Sequence, residues 1–575
     1  MEKRWILLDT DKEVVASLSQ ALDIPPLLAR ILAHRGLQDA RAAKPFLSSS
    51  LSTDLPSPFL MTDMDRAVGR LVLALERKEQ ICIWGDYDVD GTTGASALVS
   101  FLREIGGDPK FYVPHRIEEG YGMNSDGLKR LADQGVSLVV SVDCGISNYQ
   151  EVKFANSLNL DVVIVDHHEP PPDLPAAVAI LNPHRADCSF PDKGLSGAGL
   201  AFYLIIGLRA KLREIKWFSG TQEPDIRRYL DVITLGTIAD MVPLRGANRV
   251  LVRRGLQELA DSTRPGIIAL RRVAGLPTGA VTAGQVGFRL GPRINAAGRM
   301  DAGLKVVEML TTRSEDQARR IAQELDGNNR ERQEMEAQVL GEALKMIQSD
   351  PNQHDRCSIV LGADGWHPGV LGIVASRIVE RFHRPTVVIG FNNGEGKASA
   401  RSIRGFHMVE GLRRCADLLE KYGGHEYAGG LSIKYDQLAT FSQRFEEVAR
   451  GSLTAEDLKP YLEVDALLEA DEVGLPLARE LQRLQPFGVG NPEPLLLTRG
   501  LEVAERRGFK GGARLRLRKG AKQVSAVLFG EEDDFPGREG AIIDVVYRLG
   551  ENEWNGTSTA QMRIVDARIS KTVQS

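Results

Sequence analysis

Gly85-Asp86-Tyr87-Asp88-Val89-Asp90-Gly91 follows a short apolar run, Ile81 to Trp84, and precedes a helically patterned segment, Thr92 to Ile105. A strand that ends in acidic side chains and turns through glycine into a helix begins an open α/β sheet, in which the carboxyl ends of the strands face the ligand crevice. Working outward, Arg66 to Arg77 has helical periodicity. The strand-like runs Ser137 to Val142 and Val162 to Val165 follow, each separated by an amphipathic stretch, which is the signature of parallel strands joined by helices. The second of these strands ends in Asp143 and the third in Asp166-His167-His168, so their polar ends are expected to meet Asp86, Asp88 and Asp90 in one crevice. The fold class is α/β, with a doubly wound parallel sheet at its centre.

Farther along, Ser314 to Ile347 reads as one long helix, with Ser314 as N-cap and Gln317 closing a capping box. Its middle, Asp326 to Glu334, is almost wholly polar, which predicts a connecting helix solvated at its centre and apolar near its ends. A second α/β module opens with a strand at Ser358 to Leu361, continues through a helix at Val370 to Phe382 and a strand at Pro385 to Ile389, and includes a glycine-rich turn, Gly423 to Gly430. From about Glu463 five short strands alternate with glycine turns: Leu495 to Leu497, Arg514 to Leu517, Val524 to Phe529, Ile542 to Tyr547 and Gln561 to Val565. That spacing fits a small OB-like β-barrel. The expected division is residues 1–65 as an N-terminal segment, 66–311 as the catalytic domain, 312–350 as the connecting helix, 351–452 as the second α/β domain and 453–575 as the barrel.

The 575 residues are 43% apolar and 26% charged, a globular composition that excludes disorder, collagen and coiled coil. Lys plus Arg number 72 against 77 for Asp plus Glu, so the net charge of −5 cannot itself attract a polyanion and any nucleic-acid surface must be local. The five cysteines are far apart and form no CxxC pair, which indicates neither a disulfide framework nor a zinc knuckle and suits a reducing compartment. The apolar run Trp5 to Leu8 is too short for a signal-peptide core, and runs such as Ala201 to Leu208 are too short to span a bilayer. A cytoplasmic protein without a membrane partner is expected.

Carboxylates and imidazoles at strand ends suit a pair of hard or borderline divalent ions, Mn²⁺ or Mg²⁺, rather than a thiolate-seeking metal. Taken alone, the aspartate run would serve equally as turn formers and helix caps. Joined to Asp166-His167-His168 and to Asp240, it points to metal-assisted chemistry on a phosphoester. No GxxxxGK[ST] loop follows a strand in the catalytic half, so nucleotide hydrolysis as an energy source is not indicated.

These motifs resemble the DHH phosphoesterase superfamily and, within it, the RecJ-like single-strand-specific exonucleases. Ser141-Val142-Asp143-Cys144-Gly145-Ile146 resembles the second motif, Asp166-His167-His168 the third, and Leu235-Gly236-Thr237-Ile238-Ala239-Asp240 the fourth. Gly291-Pro292-Arg293-Ile294-Asn295-Ala296-Ala297-Gly298-Arg299 is a RecJ-like run, and Gly423-Gly424-His425 resembles the signature of the DHH-associated domain. The resemblance implies a DHH catalytic domain, a long connecting helix, a DHH-associated α/β domain and an OB-fold.

It makes Asp88, Asp90, Asp143, His167 and Asp240 metal ligands, with Asp86 a further member and Asp143 the bridge between two ions. Asp166 is expected to orient His167, and His168 to lie beside the scissile phosphate. Some superfamily members carry a histidine four positions before Asp88, where this chain has Trp84, so one ligand of the general pattern is missing.

For strand grip the resemblance points to Arg293, Asn295 and Arg299, and in the second module to Arg377, Ser399, Arg401 and His425. In the barrel, Arg514-Leu515-Arg516-Leu517-Arg518 alternates strictly, placing three arginines on one strand face. Such a face suits single-stranded phosphates, with Phe509 or Trp554 stacking on bases; it also suits a charged edge strand that blocks aggregation.

The implied activity is a two-metal 5′-to-3′ exonuclease on single-stranded DNA that releases 5′-mononucleotides in repair and recombination. A monomer served by a helicase and a single-strand-binding protein is the family expectation. A small-substrate phosphodiesterase would share the metal ligands but would not need the length or the basic barrel. A non-catalytic clamp should have lost the carboxylates.

Overall fold

The computed structural model describes residues 3–115, 118–297, 303–530, 535–554 and 556–570, without the side chains of Ala297 and Trp554. Arg299 therefore lies outside the described residues, as does the Trp554 side chain. The chain divides into two compact units. One comprises Leu7–Asp326 with Val464–Ser575, the other Met1–Ile6 with Gly327–Glu463.

The first unit holds the parallel sheet, with strands β1 (Gln80–Gly85), β2 (Lys110–Tyr112), β3 (Val136–Val142), β4 (Asp161–Val165) and β5 (Ala179–Leu181) in the order β2-β1-β3-β4-β5. Every neighbouring pair is parallel. The central strands are near-continuous apolar runs because helices cover both faces. Helices Val89–Glu104, Gly197–Glu214 and Leu230–Ala239 pack into one core with β1, β3 and β4. Glycine sets their spacing: a Cβ at Gly236 would lie 2.7 Å from Asp90 Oδ1 and 2.9 Å from Ala198 Cβ. The bare glycine of the fourth motif thus lets the helix that ends in Asp240 approach the helix that carries Asp90.

The barrel belongs to the same unit. Strands β12 (Leu496–Phe509), β13 (Gly512–Lys519), β14 (Lys522–Phe529), β15 (Ile542–Trp554) and β16 (Thr557–Ile569) form a closed ring of five, since β12 pairs with both β13 and β15. A two-residue strand, β11 (Ala466–Leu467), adds to β12 in parallel. The N-terminal helices Lys12–Leu22, Pro26–His34 and Ala40–Ser48 share this core: Leu28, Leu32 and Phe46 are buried in one cluster with Leu481, Val545 and Tyr547. Asp465 ties the two ends of the chain together, accepting from Arg35 (3.1 Å) and from the Leu495 amide (3.0 Å), with the His34 ring nitrogen 3.2 Å away.

Arg249 joins the barrel and N-terminal helices to the catalytic domain. Fully buried, it donates to the carbonyls of Phe46 (2.7 Å), Gln485 (2.8 Å) and Pro486 (3.3 Å), with its guanidinium 3.6 Å from the Phe46 ring centroid.

The second unit is a mixed sheet of β6 (Ile359–Asp364), β7 (Thr386–Asn392), β8 (Glu395–Arg401), β9 (Lys421–Gly424) and β10 (Ala428–Lys434) in the order β9-β10-β8-β7-β6. Helices Pro368–Phe382 and Leu438–Ser452 pack against it. The expected glycine-rich turn at Gly423 to Gly430 contains a tighter hairpin: Gly423 pairs with Gly430 and Gly424 with Gly429 in an antiparallel ladder.

The connecting helix spans Glu315–Ser349, and the division between units falls inside it. Ser314 Oγ accepts from the Gln317 amide (3.2 Å), but the Gln317 carboxamide accepts from Thr312 (2.6 Å) instead of from the Ser314 backbone. The polar middle is solvated on one face only: Arg330, Glu331, Gln333 and Glu334 are exposed, whereas Asp326 and Asn329, and Glu336 just beyond, are buried. Buried polar groups need partners. Asp326 has Arg293 (2.9 Å), while Arg332 reaches Asn329 (3.1 Å) and Glu336 (3.6 Å).

Candidate metal centre and nucleic-acid interface

Strand register brings the acidic groups together. Gly85 pairs with Val142 and Val142 with Val165, so the residues that follow emerge at one level. The ladder runs one rung further: Asp86 N–H donates to the Val142 carbonyl (3.1 Å), Asp143 N–H to Val165 (2.9 Å) and Asp166 N–H to Leu181 (3.1 Å). Asp88 caps helix Val89–Glu104, accepting from the Gly91 amide (3.0 Å). Gly91 is obligatory there, since a Cβ would meet the Asp86 backbone nitrogen at 2.5 Å. Asp90, buried in the first turn, accepts from the Gly197 (2.5 Å) and Ala198 (3.0 Å) amides at the N-terminus of the next helix. Asp143 has φ +64°, a left-handed conformation that non-glycine residues hold mainly where surroundings impose it.

The donor atoms of Asp86, Asp88 and Asp143 all lie within 4.8 Å of one another, as do those of Asp90, His167 and Asp240 and those of Asp143, His167 and His168. His167 Nε2 is 3.1 Å from Asp143 Oδ1 and 3.6 Å from Asp240 Oδ2. Burial pushes the His167 imidazole down to about 4, so at neutral pH this nitrogen is an unprotonated acceptor beside two buried carboxyl oxygens. None of the three buried atoms has a hydrogen-bond partner. Such an arrangement is costly until a cation lies among the lone pairs. The donor set, oxygen and imidazole only, fits Mn²⁺ or Mg²⁺.

The carboxyls carry the same strain. Burial, then the neighbouring Asp88, lifts Asp90 to about 7. Burial, then Asp90 and Asp88, lifts Asp240 to about 9. Asp143 rises for the same two reasons. A bound divalent cation reverses that balance.

Asp166 behaves differently from its neighbours. Burial works against its charge, but hydrogen bonds from His168 Nδ1 (2.7 Å) and from the Ile146 (2.9 Å) and His168 (3.2 Å) amides keep its pKa below the usual range. It therefore orients His168 and not, as expected from sequence, His167, which is instead hydrogen-bonded to the Leu195 backbone. The Asp166 bond raises the pKa of His168, whose side chain is 48% exposed at the rim. Tyr121 is an unforeseen member. Its hydroxyl donates to the Asp143 carbonyl (3.0 Å) and lies 3.1 Å from His168 Nδ1. Trp84 is fully buried and stacks on Tyr112 with centroids 4.2 Å apart, so it fills the position of the missing histidine with core packing.

The cationic candidates divide sharply. Arg293 donates to Asp326 and to the Arg289 (2.6 Å) and Val273 (3.4 Å) carbonyls, and Asn295 beside it is half-buried. In the second unit, a Cβ on Gly372 would lie 3.0 Å from Arg401 Nη2 and 3.6 Å from Ser399 Oγ, so both line the first turns of helix Pro368–Phe382. Arg377 pairs with Glu336 (2.5 Å), and His425 is exposed on the β9–β10 hairpin. On β13, Arg514, Arg516 and Arg518 are exposed while Leu515 and Leu517 are buried. Arg518 is held by Glu502 (2.8 Å) and Arg516 lies 3.5 Å from Glu505. Arg514 sits 5.9 Å over Phe509, which meets Phe529 edge-on at 6.1 Å. Arg507, Arg514, Arg516 and Lys522 line a groove of about 860 Å³.

Comparison with known proteins places each module. The DHH family N-terminal domain matches residues 80–237, the DHHA1 domain 356–451 and the RecJ OB domain 464–566. The chain is 37% identical over 574 residues to the single-stranded-DNA-specific exonuclease RecJ of Bacillus subtilis (strain 168), covering 99% of this chain and 71% of that protein. It is 38% identical over 495 residues to the enzyme of the same name from Escherichia coli (strain K12), covering 84% and 85%. The crystal structure of RecJ in complex with Mn²⁺ from Thermus thermophilus superposes with a TM-score of 0.82 at 31% identity, covering 99% of this chain and 80% of that one. The Mg²⁺ complex from the same source gives 0.74 at 31% identity, covering 99% and 79%.

Proposed function

The chain belongs to the RecJ family of single-stranded-DNA-specific exonucleases, and from that premise we propose that it degrades single-stranded DNA from the 5′ end, releasing 5′-mononucleotides with two divalent ions, in repair and recombination. It is a metal-dependent nuclease of the hydrolase class. The observation that carries the mechanism is the trio of buried, unpartnered atoms, Asp143 Oδ1, His167 Nε2 and Asp240 Oδ2.

In this reading Asp86, Asp88 and Asp143 would hold one ion and Asp90, His167 and Asp240 the other, with Asp143 Oδ1 3.1 Å from His167 Nε2 and so beside both groups. When bound, the pair neutralises the phosphodiester and makes water a competent nucleophile at neutral pH. His168, its Nδ1 fixed by Asp166, offers a proton or hydrogen bond to the phosphate or the leaving oxygen. Tyr121 bridges the Asp143 backbone and His168, fixing the distance between ligand and donor. Ser399, Arg401 and the N-terminus of helix Pro368–Phe382 suit a terminal phosphate. Arg514, with Phe509 and Phe529, suits the strand farther along.

We assign Asn295, Arg377 and His425 auxiliary strand contacts, and the protein acts as a cytoplasmic monomer that meets a helicase and a single-strand-binding protein. In this reading the domains follow the division 1–65, 66–311, 312–350, 351–452 and 453–575, with helices Lys12–Leu22, Pro26–His34 and Ala40–Ser48 of the first segment sharing the barrel's core. Digestion of a single strand labelled at either end, with Mn²⁺ present, tests this. A 5′ label released at once as mononucleotide, with a duplex untouched, is the expected result. Early release of the 3′ label, or internal fragments, overturns it.

A further inference from the structure

The turn Asp166-His167-His168 leaves strand β4 with its two histidines held by different segments. His167 is hydrogen-bonded to the Leu195 backbone, while Asp166 takes the ring and the amide of His168. The His168 carbonyl accepts from Asn182 Nδ2 (2.8 Å). Asn182 is fully buried, one residue beyond the end of β5. Leu181 pairs with Val165, so Asn182 and Asp166 leave their strands side by side. Pro183 follows and biases Asn182 to extended backbone, which carries the line of β5 forward to the turn. Its Oδ1 accepts from the His184 amide (2.8 Å), so this one carboxamide uses a donor and an acceptor at once.

The segment that carries Asn182 is itself braced. Although β5 is an edge strand, Ile180 N–H donates to Asp63 (3.1 Å), and Arg185 Nη1 donates to the Ile180 carbonyl (2.8 Å) and to Asp63 (2.7 Å). Lys193 Nζ adds bonds to the Pro183 (2.7 Å) and Cys188 (2.8 Å) carbonyls. An anchor on a rigid support transmits position to whatever it holds.

We propose that Asn182 is a positioning residue for hydrolysis: by fixing the His168 carbonyl it sets where the His168 imidazole meets the phosphate. The inference rests on the exonuclease reading above and on the role given there to His168. With its side chain 48% exposed, His168 is not held by packing. Its backbone is held instead, the amide by Asp166 and the carbonyl by Asn182. Removing Asn182 frees the peptide after His168 to rotate, and misplacing a reacting group by about an ångström costs on the order of 100-fold in rate. His167 keeps its own bond to Leu195, so the metal ligands stay in place.

The test uses the full chain and a 5′-phosphorylated single strand with Mn²⁺, comparing wild type, Asn182→Ala, Asn182→Leu, His168→Ala and the double variant of His168→Ala with Asn182→Ala. Both Asn182 variants should lower kcat about 100-fold, with KM and the Mn²⁺ affinity measured by calorimetry within about threefold of wild type. Leucine fills the volume of asparagine, so an equal loss in both variants excludes a cavity as its cause. In the double variant Asn182→Ala should cost nothing beyond His168→Ala, because it acts through that histidine. Undiminished kcat in both Asn182 variants, an Mn²⁺ affinity that falls along with kcat, or a full further loss in the double variant overturns the proposal. A crystal structure of Asn182→Ala should show the His168 ring displaced from Asp166 with His167 unmoved, and an unmoved His168 also overturns it. If the wild type cut no single strand, the exonuclease reading would fail, and that structure would still decide whether Asn182 places His168.

Discussion

His167 Nε2 lies 3.1 Å from Asp143 Oδ1, and neither atom has a hydrogen-bond partner. With the imidazole neutral above about pH 4, its lone pair lies beside a buried carboxyl that burial and the neighbouring aspartates push toward its protonated form. A cation held among these atoms would favour the ionised carboxyls and give each donor atom a partner.

Asp143→Asn therefore should separate stability from activity. The amide keeps the shape, tolerates the left-handed backbone and removes one buried charge. Mn²⁺-dependent hydrolysis should fall by more than ~100-fold, beyond what losing an indirect metal partner costs. The metal-free protein should become more stable, by ~1–2 kcal/mol in chemical denaturation. Full activity in the variant would refute the ligand assignment.

Stability of the metal-free protein should fall as pH rises. Carboxyls that ionise near pH 4 when unfolded hold their protons to about 7 at Asp90 and about 9 at Asp240 when folded. The stability that this proton retention contributes is complete below pH 4 and disappears as pH climbs through 7 to 9. Melting curves in EDTA at pH 6, 7.5 and 9 should show a declining Tm, with Mn²⁺ raising Tm most at pH 9. A Tm in EDTA that is flat or rising over this range would contradict the shifts.

Arg249→Met should loosen the barrel and N-terminal helices from the catalytic domain. Three carbonyls lose their donor at once, for a cost of ~3 kcal/mol. Scanning calorimetry should show a lowered or split transition. Hydrolysis of a dinucleotide at low temperature should survive, because no metal-site residue touches this arginine.

The three barrel arginines should contribute unequally. Arg518 is already neutralised by Glu502, whereas Arg514 sits 5.9 Å over an aromatic ring and has no ion pair among the described residues. Arg514→Ala should weaken long-strand binding most and lower the log–log salt slope by ~0.7, one phosphate on a single strand. Arg518→Ala should change it least. Equal slopes for all three variants would show that the pairing with Glu502 opens on binding.

Much of the candidate metal site was legible because short apolar runs located β1, β3 and β4, and the residues after each strand are acidic. What lay beyond was contact between distant segments. Tyr121 sits between two glycines with no pattern around it, and only the fold brings it to Asp143. Strand β8 points only glycine and alanine inward, at Gly396, Ala398 and Ala400, so its alternation carries almost no hydrophobic signal. The buried face of the polar centre of helix Glu315–Ser349 was not legible, because Asp326 meets Arg293 from 33 positions away.

The shared core of the first fifty residues and the last hundred sets a timetable for biosynthesis. Helices Lys12–Leu22, Pro26–His34 and Ala40–Ser48 leave the ribosome with their apolar faces uncovered, and the strands that cover them, from Leu496 onward, arrive ~450 residues later. At roughly 5–20 residues per second, that wait lasts on the order of half a minute to a minute and a half. During it the nascent chain exposes sticky surface that a chaperone would shield, and a stop codon ahead of the barrel would leave that surface bare for good.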